Sequence, residues 1–366
     1  MSGCQGVRVP GCRRVLAPAP SMARLGMRVG EKNGSVTLED VAAAAGVSRA
    51  TASRVVRGDV KVSKVKLKAV QRVVAELGYV PNGAARTLAT RRTDTVAVIV
   101  PEPNKRIFSD PFFYRTLGAL SFAFEAGNTQ LVMVFADRTG RDRKIQKFLN
   151  GGNIDGAIVV SHHQVRGQIE TFLEAPIPVV FIGRPISKDR VLSWVDVDNR
   201  DGGRLAARRL VKNDGRKHLA IITGAMDMVS AQDRLAGFME EAKSFGVNPL
   251  QVAGEYTLES GRKAAHRLTP MIREGIVDGV FCSSDLMSRG LLSLWGEEGV
   301  RVPQDVALVS FDNIESDLTS PPLTTIENPI ERMSEAAVVM LESLIAGEET
   351  RQPVLVPAHL IERVSG

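Results

Sequence analysis

The strongest constraint on this chain is an alternation that occurs twice in series. Apolar, β-branched runs are separated by helical stretches of about a dozen residues from Thr95 to Asp312. The first series reads TVAVIVP, a helix near 112–126, QLVMVFA, a helix near 141–150, DGAIVVS, a helix near 166–174, and PVVFIG. The second reads HLAIITG, a helix near 232–244, a strand near 251–256, a helix near 260–274, DGVFCSS, a helix near 286–298, and VALVSFD. Near-continuous apolar strands linked by helices are buried on both faces, which means parallel sheets covered on each side. The series therefore predict two α/β lobes with a cleft between them, at the C-terminal ends of the strands.

Upstream the texture is different. Residues 1–34 are rich in Gly, Pro and Arg without periodicity and read as a disordered leader, with Met22 and Met27 as alternative starts. Residues 35–80 read as three short helices. Thr37 caps the first, with Asp40 positioned for a capping box. Gly46 turns the chain, Ser48 caps a helix from Arg49 to about Val56, and Gly78 closes a third with Leu67, Val70, Val73, Val74 and Leu77 on its apolar face. Residues 81–94 read as a linker with a turn or two of helix.

Charge separates the same regions. Residues 1–94 hold 17 Lys and Arg against 6 Asp and Glu, whereas the whole chain has a net charge of only +6. A basic head on a mildly acidic body predicts a polyanion-binding module joined to a domain with another task. No apolar run reaches the roughly 18 to 20 residues that span a bilayer, and the leader lacks the apolar core of an export signal, so a cytoplasmic location is expected. Three cysteines without ligand spacing predict neither a disulfide framework nor a metal site. No phosphate loop, nucleophile elbow or His-Glu-x-x-His occurs, so an enzyme on a doubly wound sheet is the weaker reading, and no cofactor is expected.

TLEDVAAAAGVSRATASRVVRGD has helix-turn-helix spacing. Ala42, Ala43 and Ala45 form a small-residue face; Val47, Ala52 and Val55 are the buried side of the second helix. Arg49, Ala50, Thr51, Ser53 and Arg54 remain on the other side, where arginines and hydroxyls suit guanine edges and phosphate oxygens.

In order, this motif, LGYVPN, DPFF, DGAIV, VDVDNRDGG, DRLAGF, SSDLMSRG, VSFDN and PLTTI resemble the lactose/galactose repressor family from about residue 36 to the C-terminus. The resemblance implies a helix-turn-helix head on a two-lobed sensor of the periplasmic-binding-protein type, acting as a repressor. It implies partners as well: a pseudo-palindromic duplex operator, a second copy of the chain, and a small-molecule effector, a sugar, with a purine or nucleoside as the alternative. It places Arg49, Ala50 and Arg54 at base-reading positions and Ser48, Thr51 and Ser53 on the backbone. Asn82 and Arg86 fall at groove or backbone positions of a hinge, and Leu88 at the wedge position that unstacks a central step. Lys64, Lys66 and Lys68, where relatives are more acidic, either touch phosphate or form a solvated face.

The resemblance implies an effector site too. Arg234, Asp285, Asp312 and Tyr256 come from the second lobe, Phe112 or Phe113 and Asp137 from the first, with Ser161, His162 and Ser230 as weaker members. Arg234 and Asp312 are alternatively a structural ion pair, Phe112 alternatively core, and His162 and His163 read as loop histidines. Ser284 and Gly183 stand where many relatives have Asn and Asp, so no particular sugar is implied. The resemblance divides the sensor, residues 95–366, into a first lobe of about 95–194 plus 324–346 and a second of about 195–323 plus 350–364. The crossings fall near Trp194, near Leu323 and near residues 346–352.

Overall fold

The computed structural model describes residues 36–56, 62–80, 92–125, 127–136, 143–165, 167–186, 192–348 and 352–366. The leader expected over 1–34, the hinge candidates Asn82, Arg86 and Leu88, and Asp137 lie outside the described residues. The chain divides into two units, residues 1–82 and 83–366.

The first unit is a bundle of α1 (Leu38–Ala44), α2 (Arg49–Val56) and α3 (Lys64–Leu77). The capping box forms as the sequence predicts. Asp40 N donates to Thr37 Oγ1 at 3.3 Å, and Thr37 N donates to Asp40 Oδ2 at 2.9 Å. Ser48 Oγ accepts from Thr51 N at the start of α2. Ser63 makes no side-chain cap bond, in keeping with the lysine-rich sequence that follows it. Val41, Val55, Val70 and Val73 form the core. Two positions differ from expectation: Ala43 is exposed because α1 turns only Val41 and Ala42 inward, and Leu77 is 40% exposed at the C-terminal end of α3.

The second unit has two six-stranded sheets. The first contains β1 (Thr95–Val100), β2 (Gln130–Phe135), β3 (Gly156–Val160), β4 (Val179–Ile182), β5 (Ser193–Val197) and β11 (Val354–Val356), in the order β11-β5-β4-β3-β1-β2 and wholly parallel. The second contains β6 (Leu219–Ile222), β7 (Leu250–Val252), β8 (Gly279–Cys282), β9 (Ala307–Asp312), β10 (Thr324–Glu327) and β12 (His359–Ile361). Its order is β12-β10-β9-β8-β6-β7, and only β12 runs antiparallel. The central strands β1, β3, β6 and β8 are almost completely buried, as two-sided apolar runs require.

The helices that position the cleft are α4 (Asn104–Ser109), α5 (Pro111–Ala123), α6 (Arg143–Leu149), α7 (Gln168–Leu173), α8 (Asn199–Arg208), α9 (Val229–Ser244), α10 (Leu258–Arg273), α11 (Asp285–Glu298) and α12 (Ile330–Ile345).

The lobe crossings lie later than the sequence predicts. Strands change sheet after Val197, after Glu327 and after Val356, rather than near Trp194, near Leu323 and within 346–352. β10 pairs with β9 in the second sheet, from Thr324↔Val309 to Glu327↔Asp312, so residues 324–327 belong to the second lobe. β11 pairs with β5, which returns residues 354–356 to the first. An apolar run announces a strand but not which of two neighbouring sheets it joins, and that choice is made by tertiary pairing.

Candidate functional site

Arg234 is placed by close contact between two helix backbones. A Cβ at Gly237 would stand 1.8 Å from the Arg200 carbonyl oxygen, and one at Gly203 would stand 2.3 Å from that of Arg234. Only glycines let α8 and α9 approach so far, and the contact holds Arg234 at the mouth of the second sheet. Its side chain is buried. Nε donates to Asn199 Oδ1 at 2.8 Å, and Nη1 donates to the Ser283 carbonyl at 2.6 Å. The guanidinium also lies 3.4 Å from the Phe311 ring centroid.

Asp312 and Tyr256 complete this group. Asp312 ends β9 with φ 118°, and its Oδ1 is 3.7 Å from Arg234 Nη1, too far for a hydrogen bond. Burial pushes the Asp312 carboxyl up to about 8; Arg234 opposes that rise, while Asp285 and Asp110 add to it. Near neutral pH this carboxyl is therefore largely protonated, able to donate as well as accept. The Tyr256 ring sits 5.9 Å from the Arg234 guanidinium and 5.6 Å from that of Arg106, which comes from the first lobe. Gly224 makes room for it, since a Cβ there would be 1.9 Å from Tyr256 Cζ. Ser230 lies beside the Tyr256 phenol, whose hydroxyl makes no full hydrogen bond among the described residues.

Asp285 departs from its expected place. Its two oxygens accept from Ile314 N at 2.7 Å and from Thr325 Oγ1 at 3.0 Å, so it ties the β9 turn to β10 instead of presenting itself to the cleft. Burial raises it to about 6. Phe113 is fully buried in the core, whereas Phe112 is half-buried at its edge, the ring centroids 5.4 Å apart. Ser161, with φ 60°, donates to Glu102 Oε1 at 2.7 Å.

On the first-lobe side, sequence reading named Phe112, Phe113, Asp137 and Ser161 but missed Glu102 and Arg106. Glu102 follows β1 and is 1% exposed; Arg106 Nη1 and His163 Nε2 both approach its Oε1, at 2.6 and 2.7 Å. Burial drives the Glu102 carboxyl up, but the bond to His163 and the charge on Arg106, with Ser161, outweigh it and hold it below its ordinary value. His162 and His163 lie on the loop after β3, as the sequence predicts, and both are buried. Burial lowers His162 to about 4, leaving it neutral. The available signal was the charged run EPNKR directly after a central strand, at the edge of the sheet where ligands of open α/β folds bind. Gly183 has φ 98°, and a Cβ there would stand 3.3 Å from His162 Cε1.

In the head, Ser48, Arg49, Ala50 and Arg54 are exposed and Thr51 and Ser53 half-buried, while Ala52 and Val55 face the core. Arg49 pairs with Glu39 of α1. The described helices include none long and apolar enough to cross a membrane, and no group of His, Cys, Asp and Glu among the described residues could hold a metal ion.

Comparison with known proteins places both units. Residues 37–82 match the model of the bacterial regulatory proteins of the lacI family, and residues 207–365 match the periplasmic binding protein-like domain. The HTH-type transcriptional regulator CelR of Thermobifida fusca is 38% identical over 342 residues, covering 92% of this chain and 100% of its own. The solved complex of the transcriptional regulator CelR with cellobiose is similar at a TM-score of 0.70 and 36% identity, over 90% of this chain and 100% of that one. The lac repressor dimer bound to operator and the anti-inducer ONPF is similar at 0.80 and 26%, over 91% and 99%. With a relative this similar along nearly its whole length, the chain belongs to the lacI family of bacterial regulatory proteins and is a DNA-binding transcription regulator, not an enzyme.

Proposed function

We propose that this protein is a cytoplasmic repressor released from, or locked onto, its operator by an uncharged sugar, with a glucose disaccharide such as cellobiose as the first candidate. One observation carries the ligand class. Arg234, Tyr256 and Asp312 bring a guanidinium, an aromatic face and a protonatable carboxyl within one group, 3.7 to 5.9 Å apart. A polyol surrendering its water needs donors, acceptors and a flat apolar face together. The solved sugar complex of the 36% identical regulator supports the choice of cellobiose.

In this reading Arg49 and Arg54 each take a guanine edge, worth about 1–3 kcal/mol of discrimination. Ala50 meets a thymine methyl; Ser48, Thr51 and Ser53 hold phosphates. Asn82, Arg86 and Leu88 act in the hinge when two copies meet on DNA. A second copy covers the apolar edge at β2, where Met133 is 50% exposed and Phe108, 76% exposed, meets the Phe135 ring. Paired heads then read a pseudo-palindromic site.

Calorimetry of the purified protein against cellobiose, lactose, glucose, adenosine and hypoxanthine tests the ligand class. Saturable heat with cellobiose and none with the purines is expected. Binding confined to the purines would replace the sugar.

A further inference from the structure

Two carboxylates from opposite lobes converge on one buried imidazole. Glu102 follows β1 in the first lobe, and Asp227 lies on the loop between β6 and α9 in the second. His163, fully buried on the loop after β3, stands between them: Nε2 is 2.7 Å from Glu102 Oε1, and Nδ1 is 2.9 Å from Asp227 Oδ2. A singly protonated ring has one N–H and one lone pair. With a carboxylate oxygen opposite each nitrogen, that lone pair would face another lone pair. A ring carrying both protons satisfies both contacts and supplies the charge that two carboxylates call for.

We infer that His163 is a proton-dependent clasp, its doubly protonated ring joining Glu102 to Asp227 while the cleft is closed and releasing Asp227 when one proton leaves.

The surroundings hold the partners of the ring in place. Arg106 and Ser161 fix Glu102 as an acceptor by bonding the same Oε1. Asp110, at the start of α5, adds negative charge near Glu102. His162, the neighbouring ring, is kept neutral by burial and so does not compete as a second cation. The backbone of His163 is held independently of its ring, through its N–H to Gln168 Oε1 at 2.8 Å. Next to the clasp, Gln164 N donates to the Asp227 carbonyl at 2.8 Å, a backbone bond across the same joint. Arg184 and Asp233, 2.6 Å apart, form a further tie between lobes.

The closed form thus holds a proton that the open form need not hold. Closure is favoured at low pH and weakens as pH rises, by at most about tenfold per pH unit for one coupled proton. Any effector that acts by closing the cleft inherits this dependence. The inference rests on the cleft being the sensor, not on which sugar fills it.

Amide hydrogen exchange of Gln164 in the full-length protein, without any sugar, reads the joint directly. After correction for intrinsic exchange, protection between about pH 5.5 and 8.5 is expected to fall in the wild type, approaching tenfold per unit, and to be flat in His163→Gln. Asp227→Asn, which leaves the buried Glu102 contact in place, is expected to flatten it as well and serves if His163→Gln does not fold. A flat wild-type profile, or a slope that survives in either variant, overturns the clasp. Because no ligand is added, that result is separate from any failure of cellobiose to bind.

Discussion

Replacing Arg234 by Met keeps a long apolar stem and deletes the guanidinium, and the structure allows the cost to be worked out. The Asn199 side-chain oxygen and the Ser283 carbonyl each lose a buried donor, at 2.8 and 2.6 Å. Each loss costs about 1–3 kcal/mol, and the contact with the Phe311 ring contributes about 1–2 more. Breaking a buried ion pair ordinarily adds about 3–5 kcal/mol, because a charge is stranded. Asp312 escapes that penalty near neutrality, since its carboxyl already titrates at about 8 and takes up a proton instead. The expected loss at pH 7 is therefore about 3–8 kcal/mol, and it grows above pH 8, where Asp312 ionises without its cation. Urea unfolding at the two pH values measures it, provided the slopes match the wild type. Cellobiose affinity, by calorimetry on the folded variant, is expected to fall at least thirtyfold, equivalent to about 2 kcal/mol. A stability change under about 1 kcal/mol together with unchanged sugar affinity would refute the placement of Arg234 at the centre of the site.

Other perturbations test separate links. Asp312→Asn removes a carboxyl whose folded pKa, about 8, lies above its ordinary 3.8. The folded state keeps a proton that the unfolded chain has released, so wild-type stability declines as pH rises through that window, and thermal melts of the variant should show a shallower decline; superimposable slopes would contradict this. Gly224→Ala drives a methyl into the Tyr256 ring, so sugar affinity should drop at least tenfold while sugar-free operator affinity stays the same. Thr37→Ala removes the α1 capping box and should cost the head about 1 kcal/mol, seen as a lower first melting transition in the full chain.

The sequence carried different parts of this molecule with different clarity. The central strand runs were legible because two-sided burial leaves an unbroken apolar signature, although QLVMVF, equally apolar, is an edge strand left largely exposed; Thr37–Asp40 and Ser48 were legible because capping chemistry is local. The lobe to which β10 and β11 belong was not legible, since TTIE and VLV would fit either sheet until pairing decides. Motif position named Arg234, Tyr256 and Asp312, which the fold brings together, and also Asp285, whose oxygens bond Ile314 and Thr325. A motif gives residue type and order, and hydrogen-bond accounting in three dimensions gives the role. Glu102, His163 and Asp227 were missed for a related reason. They are far apart in sequence, each is ordinary alone, and only folding brings the three together.

The central claim is that an arginine-bearing head grips duplex DNA under the control of a sugar in the cleft. Fluorescence anisotropy of the full-length protein, on a genomic fragment selected by its own binding and with cellobiose titrated in, tests it most directly. Wild-type protein should hold the selected duplex at least a hundredfold more tightly than a scrambled one, about 3 kcal/mol. Arg54→Ala should lose that preference while its sensor still binds sugar, and cellobiose should shift the wild-type affinity. Equal binding of selected and scrambled duplexes at low salt, with no response to cellobiose, would contradict the account.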